Sequence, residues 1–251
     1  MTAVADLTLR ALRRGRNEPF PVYARSLRAA CRDAPPVFGS AWYGDRYREL
    51  ATDPRWLAES LLVNAAKEGR GSRELWALAG RAPDPVIAEA VRGHALDESR
   101  HALMYLAILD LVFPGALGGR RPAFRTLSPR FSAREHPPVG RRARSRQMLD
   151  ALIQMNLGEI KTRINQLLMM PVVTAYCPTA SRGRLARILR VLLGDETRHV
   201  RYTARLIERA GAAGERAFVA ATMRRRLALL NRITLSEVGR PKPVESPRGR
   251  G

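Results

Sequence analysis

The chain reads Asp97-Glu98-Ser99-Arg100-His101 and, later, Asp195-Glu196-Thr197-Arg198-His199. In an α-helix each residue turns about 100°, so a Glu and the His three positions on share a face, one turn apart, and can reach one point. A single Glu-x-x-His arises easily. Two copies that also share the flanking Asp and Arg, in a chain with only 4 His, call for a common explanation.

The surrounding pattern supplies helices for both copies. From Pro54 onward Leu57, Leu61, Asn64, Glu68, Leu75 and Leu78 recur at helical spacing up to Gly80, although Gly69 and Gly71 weaken that helix's continuity. Asp84 and Pro85 form a helix start, and Pro114-Gly115 follows the end of that second helix near Phe113. A third helix is expected over 145–170, stopped by Pro171, and a fourth over 181–210, stopped by Gly211. The first and second helices are joined by a short loop, as are the third and fourth, so each pair is an antiparallel hairpin. The Gly- and Pro-rich stretch 114–144 links the hairpins. A helix of about 25 residues is about 38 Å long, a distance that this stretch can span in extended form. No segment alternates as a strand does. The expected fold is therefore all-α, a four-helix bundle over 54–211 with a long crossover between its second and third helices. A mixed N-terminal extension of short helices and loops (1–53), a basic C-terminal helix (212–238) and a disordered polar tail (239–251) complete the organisation.

Helix register brings more residues to the same height. Glu68 stands as far before Gly80 as Glu98 stands after Pro85, to within one residue, and Glu159 and Glu196 flank the second turn in a similar way. Four carboxylates, Glu68, Glu98, Glu159 and Glu196, then converge at mid-bundle with two imidazoles, His101 and His199. Carboxylates in an apolar core are costly unless their charge is compensated. Two divalent cations would balance four Glu charges, and mixed O and N ligands suit iron or manganese. The alternative for the same residues is a metal-free core of Glu–His hydrogen bonds. Glu74 shares a helix with Glu68 but falls off the stripe of Leu61, Glu68 and Leu75. Asp97 and Asp195 can accept the free ring N–H of a ligating His across the bundle, with Arg100 and Arg198 paired to them; ordinary surface ion pairing is the plainer alternative.

With these residues the chain resembles the ferritin-like superfamily of carboxylate-bridged di-iron proteins, over roughly 54–211. The resemblance implies a metal ligand set of Glu68, Glu98, His101, Glu159, Glu196 and His199, with Glu98 and Glu196 chelating or bridging two iron ions, manganese being the other candidate. It also implies a non-heme oxidoreductase that activates dioxygen to hydroxylate, desaturate or N-oxygenate an organic substrate, with electrons from an external donor. Arylamine N-oxygenases of this superfamily carry an extra His ligand four residues before the Glu of the fourth helix. Here that position is Leu192, and His94 holds the equivalent place on the second helix, where a supporting or core histidine is the favoured reading over a ligand. Ferroxidase or iron storage, and manganese catalase, are the competing activities. The absence of Cys-x-x-Cys pairs argues against a rubrerythrin, and the residues flanking the bundle fit pocket walls better than a storage shell; a homodimer is the candidate assembly.

Composition sets the remaining bounds. Hydrophobic residues make up 45% of the chain and charged residues 27%, the balance of a globular protein. No apolar run could span a bilayer, and the first twenty residues interleave Leu with Arg rather than form a signal peptide, so a cytoplasmic location without membrane contact is expected. Cys31 and Cys177 match neither a zinc pair nor a disulfide framework. The net charge of +21 is carried almost entirely by Arg, with Lys only at 67, 161 and 242. It reads first as a solvated Arg-rich surface, and second as a docking face for an acidic carrier protein that presents a tethered substrate. Nucleic acid is the less favoured partner.

Overall fold

The computed structural model describes residues 3–13, 19–116 and 127–238, and all regular structure among them is helical. The disordered tail expected at 239–251 lies outside the described residues. Three short helices, α1 (Ala3–Arg13), α2 (Pro21–Asp33) and α3 (Ala41–Leu50), precede four long ones. These are α4 (Pro54–Ala79), α5 (Pro85–Val112), α6 (Ser145–Tyr176) and α7 (Arg182–Ala210). A π-type turn at Gly211–Glu215, with Gly214 at φ 106°, leads into α8 (Arg216–Val238). The left-handed φ at Gly214 suits glycine, which alone has no Cβ to clash there. Helices α4 and α5 pack antiparallel, as do α6 and α7, and α5 lies against α7.

Local chemistry fixes the helix starts. Asp53 and Asp84 each accept a hydrogen bond from the backbone N–H two residues on, at 2.9 and 2.7 Å, with Pro54 and Pro85 at the first helical position. Helix α2 lacks a side-chain cap of its own. Glu208 of α7 takes that role, accepting from the N–H groups of Val22 (3.3 Å) and Tyr23 (2.8 Å), and so anchors the N-terminal segment to the bundle.

Two sequence expectations change. Helix α6 runs through Pro171 to Tyr176. The lost hydrogen bond of an internal proline is outweighed because Met169, Val173 and Cys177, on both sides of it, bury against Leu185, Leu189 and Leu192. Helix α4 is continuous across Gly69 and Gly71. Gly69 serves the crossover, for a methyl group there would overlap the Leu127 carbonyl. From Leu127 the crossover follows the first hairpin. Ser128 bonds to Ser99, Phe131 stacks on Trp76 with ring centroids 4.1 Å apart, and the N–H groups of Gly140 and Ala143 donate to the carbonyls of Gly80 and Arg81.

The apolar interior comes in two parts with a polar layer between them. One cluster joins Tyr23 and Leu27 of the N-terminal helices to Val91, Ile153, Leu157, Val200, Met223 and Leu227. The other, at the far end, joins Leu57, Leu61, Ile108, Leu109, Leu185 and Leu192. On α5 the change falls between Val91 and Tyr105, and on α7 between Leu192 and Val200, so both repeated pentapeptides lie in the layer.

Replacing Gly69 with Ala should push the crossover off α4 and lower stability by about 1–3 kcal/mol, read as a fall in the thermal midpoint; an unchanged midpoint would show that the contact is slack. Asp150 of α6 ties down α8 by accepting from Arg225 Nη2 (2.8 Å) and from the Arg226 guanidinium, and Arg226 holds its carboxyl below the ordinary range. A depressed carboxylate stabilises fully above its unfolded pKa of about 4 and loses that contribution as pH falls. Asp150→Asn should therefore flatten the acid side of the plot of thermal midpoint against pH.

Candidate metal centre

Within the polar layer His94, Glu98, His101, Glu196 and His199 are buried, while Glu68 and Glu159 are partly buried. Both Glu-x-x-His pairs aim inward. Glu98 Oε1 lies 3.6 Å from His101 Nδ1, 3.4 Å from His199 Nδ1 and 2.9 Å from His94 Nε2. His101 Nδ1 is 3.5 Å from Glu196 Oε1; His199 Nδ1 is 3.6 Å from Glu159 Oε2 and 3.7 Å from Glu196 Oε2. Two overlapping groups could each hold an ion: His94, Glu98, Glu159 and His199, and Glu68, Glu98 and His101. Glu98 belongs to both. Glu74 is exposed, pairs with Arg70 and belongs to neither group.

The outer nitrogen of each imidazole is fixed across the bundle. His101 Nε2 lies 3.1 Å from Asp195 Oδ2 on α7, and His199 Nε2 lies 3.1 Å from Asp97 Oδ2 on α5. Arg100 and Arg198 each contact both aspartates, at 2.7–2.8 Å, closing a lattice of four charges. The guanidinium and imidazole partners outweigh burial and hold Asp97 down at about 2, and Asp195 is depressed in the same way. An ionised Asp accepts the Nε2 proton, which leaves the Nδ1 lone pair of each ring facing inward.

Those inward atoms have nothing to bond. His101 Nδ1, His199 Nδ1 and Glu196 Oε2 are buried and find no hydrogen-bond partner among the described residues, an expensive arrangement for polar atoms in an apolar setting. The protein groups alone leave the charges in conflict. Burial and the charge of Glu68 push the Glu98 carboxyl up; burial and Glu159 do the same to Glu196. Burial opposes charge on His199, yet its bond to Asp97 and the neighbouring Glu159 and Glu196 raise its pKa well above the usual histidine range. A divalent cation would answer each of these demands, and the donor set of imidazole N and carboxylate O suits one.

His94 stands inside the cluster. Its Nδ1 is 2.8 Å from the Tyr202 hydroxyl, which itself donates to Met155 Sδ at 3.0 Å. With that hydroxyl proton committed, His94 Nδ1–H is the donor to Tyr202, and the lone pair of Nε2 points at Glu98 and at Glu159 Oε1, 3.5 Å away. Burial, and His199 beside it, bring the His94 pKa down to about 3. The ring is therefore neutral, as a ligand must be.

Sequence reading missed Gln166. It is buried and donates to Glu196 Oε1 at 2.9 Å. Its place seven residues after Glu159, on the same helix face, was the available signal. Tyr105 lies against Gln166 and Tyr202 holds His94, whereas Thr203 bonds within the core to Asn156 and Arg163 to Thr197 on the adjoining helix.

A cavity of about 1150 Å³ opens between α4 and α6 and reaches the centre at Glu68, Glu98, Glu159 and Gln166. Its outer walls come from Tyr43 and Tyr47 of α3 and from Leu230, Glu237 and Val238 of α8. Comparison of the chain with protein-family models, with curated proteins and with solved structures finds no match.

Asp97→Asn removes the anion that sets the His199 tautomer while keeping the side-chain shape. Metal affinity should fall about 10–100-fold in a ferrous or cobalt titration, with helix content unchanged. An affinity equal to that of the parent would mean that Asp97 serves only the surface ion-pair lattice.

Proposed function

We propose that the chain is a di-metal oxidoreductase of the ferritin-like carboxylate type. Two iron ions are held in the polar layer, manganese being the alternative that the same donors accept. His94, Glu98, Glu159 and His199 hold one ion, and Glu68, Glu98, His101 and Glu196 hold the other, with Glu98 shared. The observation that carries this reading is the trio of buried atoms without a hydrogen-bond partner among the described residues, Glu196 Oε2 and the inner nitrogens His101 Nδ1 and His199 Nδ1 of rings whose outer nitrogens are bonded to Asp195 and Asp97. The membership of His94 rests on the direction of its Nε2.

Iron bound by these residues would supply the activation of dioxygen. The chain's own residues then do three things. The Asp97–His199 and Asp195–His101 pairs orient the imidazoles, with Nδ1 of each ring toward the bundle interior. Gln166 and Tyr202 fix Glu196 and His94, so that few groups must reorient as charge develops. The cavity offers an organic substrate a path to Glu68, Glu98 and Glu159. Hydroxylation, desaturation or N-oxygenation of that substrate, with electrons from an external donor, is the activity that this layout supports. A large pocket walled by the flanking helices favours it over iron storage, which has no use for an organic substrate.

Anaerobic loading of the full-length chain with ferrous iron should give two ions per chain, followed by oxygen consumption on exposure to air. Glu98→Ala and Glu196→Ala should each lower the metal count, His94→Ala should weaken one of the two binding steps, and Glu74→Ala should change nothing. A count untouched by both Glu98→Ala and Glu196→Ala would refute the assignment; a large shell on size-exclusion chromatography would turn the reading to storage.

A further inference from the structure

Lysine occurs at only three positions in this Arg-rich chain, and two of them meet at the mouth of the cavity. Lys67 of α4 and Lys161 of α6 rise from opposite walls and grip one carboxylate, that of Glu237 in the last turn of α8. Lys67 Nζ lies 2.8 Å from Glu237 Oε1, and Lys161 Nζ lies 2.7 Å from Oε2. All three line the cavity that reaches Glu68, Glu98 and Glu159.

We propose that Lys67 and Lys161 form the subsite for the carboxylate of the substrate, carried on an apolar body, and that Glu237 is an internal carboxylate that fills the subsite until substrate displaces it. The proposal rests on reading the cavity as the substrate pocket of the di-metal centre, and it narrows the substrate to an organic carboxylic acid.

Three features favour this over a simple clip between helices. The side chain of Lys161 is only 12% exposed, so its ammonium needs an anion at this place whatever else the pocket holds. A ligand carboxylate can take over both charge-assisted bonds with the geometry that Glu237 already displays. Second, the lysines are in register with the centre: Lys67 immediately precedes Glu68 on α4 and Lys161 lies two residues beyond Glu159, rises of about 1.5 and 3 Å along their helices. An acid held there places its adjoining carbons beside the candidate ions. Third, the rest of the wall suits an apolar body, with Tyr47, Trp56, Leu75 and Met169 exposed to the cavity. The occupant is also removable, since Glu237 lies at the end of α8 and its side chain is 36% exposed.

The test is calorimetric titration of the full-length chain with 4-phenylbutyrate and, as the uncharged match, 4-phenylbutyramide, on metal-free and on anaerobically ferrous-loaded protein. Removing the internal competitor in Glu237→Ala, or neutralising it in Glu237→Gln, should tighten carboxylate binding by about tenfold and leave the amide unchanged. Adding Lys67→Met and Lys161→Met to Glu237→Ala should abolish that gain. If neither Glu237 variant binds the acid more tightly, or if the lysine changes weaken acid and amide alike, the subsite is refuted. Acid binding that appears only with iron and ignores the lysines is ligation of the ions and refutes it too. Iron per chain, counted on the same variants, should equal that of the parent. A chain that binds no iron but shows the lysine-dependent preference for the acid upholds the subsite and overturns the di-metal reading instead.

Discussion

The centre depends on two reciprocal hydrogen bonds between hairpins, from His199 on α7 to Asp97 on α5 and from His101 on α5 to Asp195 on α7. Each pentapeptide supplies the histidine that the other's aspartate orients. Neither hairpin can complete its half alone, so docking the two hairpins and assembling the centre are one event. Arg100 and Arg198 bridge both aspartates and hold the carboxylates ionised. An ionised aspartate is what commits the ring proton to the outer nitrogen and turns the inner lone pair toward the bundle axis.

The same bonds explain why the interior is divided. A polar layer with four carboxylates would destabilise a small bundle unless it were flanked by enough apolar packing and its charge compensated. The cluster on one side is extended by α1, α2 and α8, so the flanking helices complete that part of the core as well as walling the cavity. Glu208, reaching from α7 to the start of α2, and Asp150, reaching from α6 to α8, attach these additions to the second hairpin.

Most of the centre was legible because its constraints are local. The spacing within Asp-Glu-x-Arg-His fixes which side chains share a helix face, and the turn signals at Gly80 and Pro85 fix the height at which Glu68 meets Glu98. The structure brings these residues together within the distances a cation would bridge. What escaped was settled by tertiary packing. Pro171 reads as a stop, yet apolar contacts on either side carry α6 through it. Gly69 reads as a weakness, yet it is where the crossover presses on α4. Gln166 carries no motif and gains its role only from the position of Glu196 on another helix. The meeting of Lys67, Lys161 and Glu237 joins three helices far apart in sequence, and no periodicity within one segment could announce it.

The repeat is symmetric, but the centre it builds is not. Four residues before Glu98 stands His94, and four residues before Glu196 stands Leu192, buried in the apolar cluster. One candidate ion position therefore faces two imidazoles and the other faces one. Tyr202 and Met155 hold the extra ring in place, whereas Gln166 supports the carboxylate on the other side. Imidazole is a neutral donor and carboxylate a charged one, so an ion beside His94 and His199 keeps more net positive charge than an ion surrounded mainly by glutamates. Two otherwise equivalent ions placed there would differ in reduction potential and in affinity for an anionic ligand. The asymmetry begins just before the repeat, with histidine at 94 ahead of one copy and leucine at 192 ahead of the other.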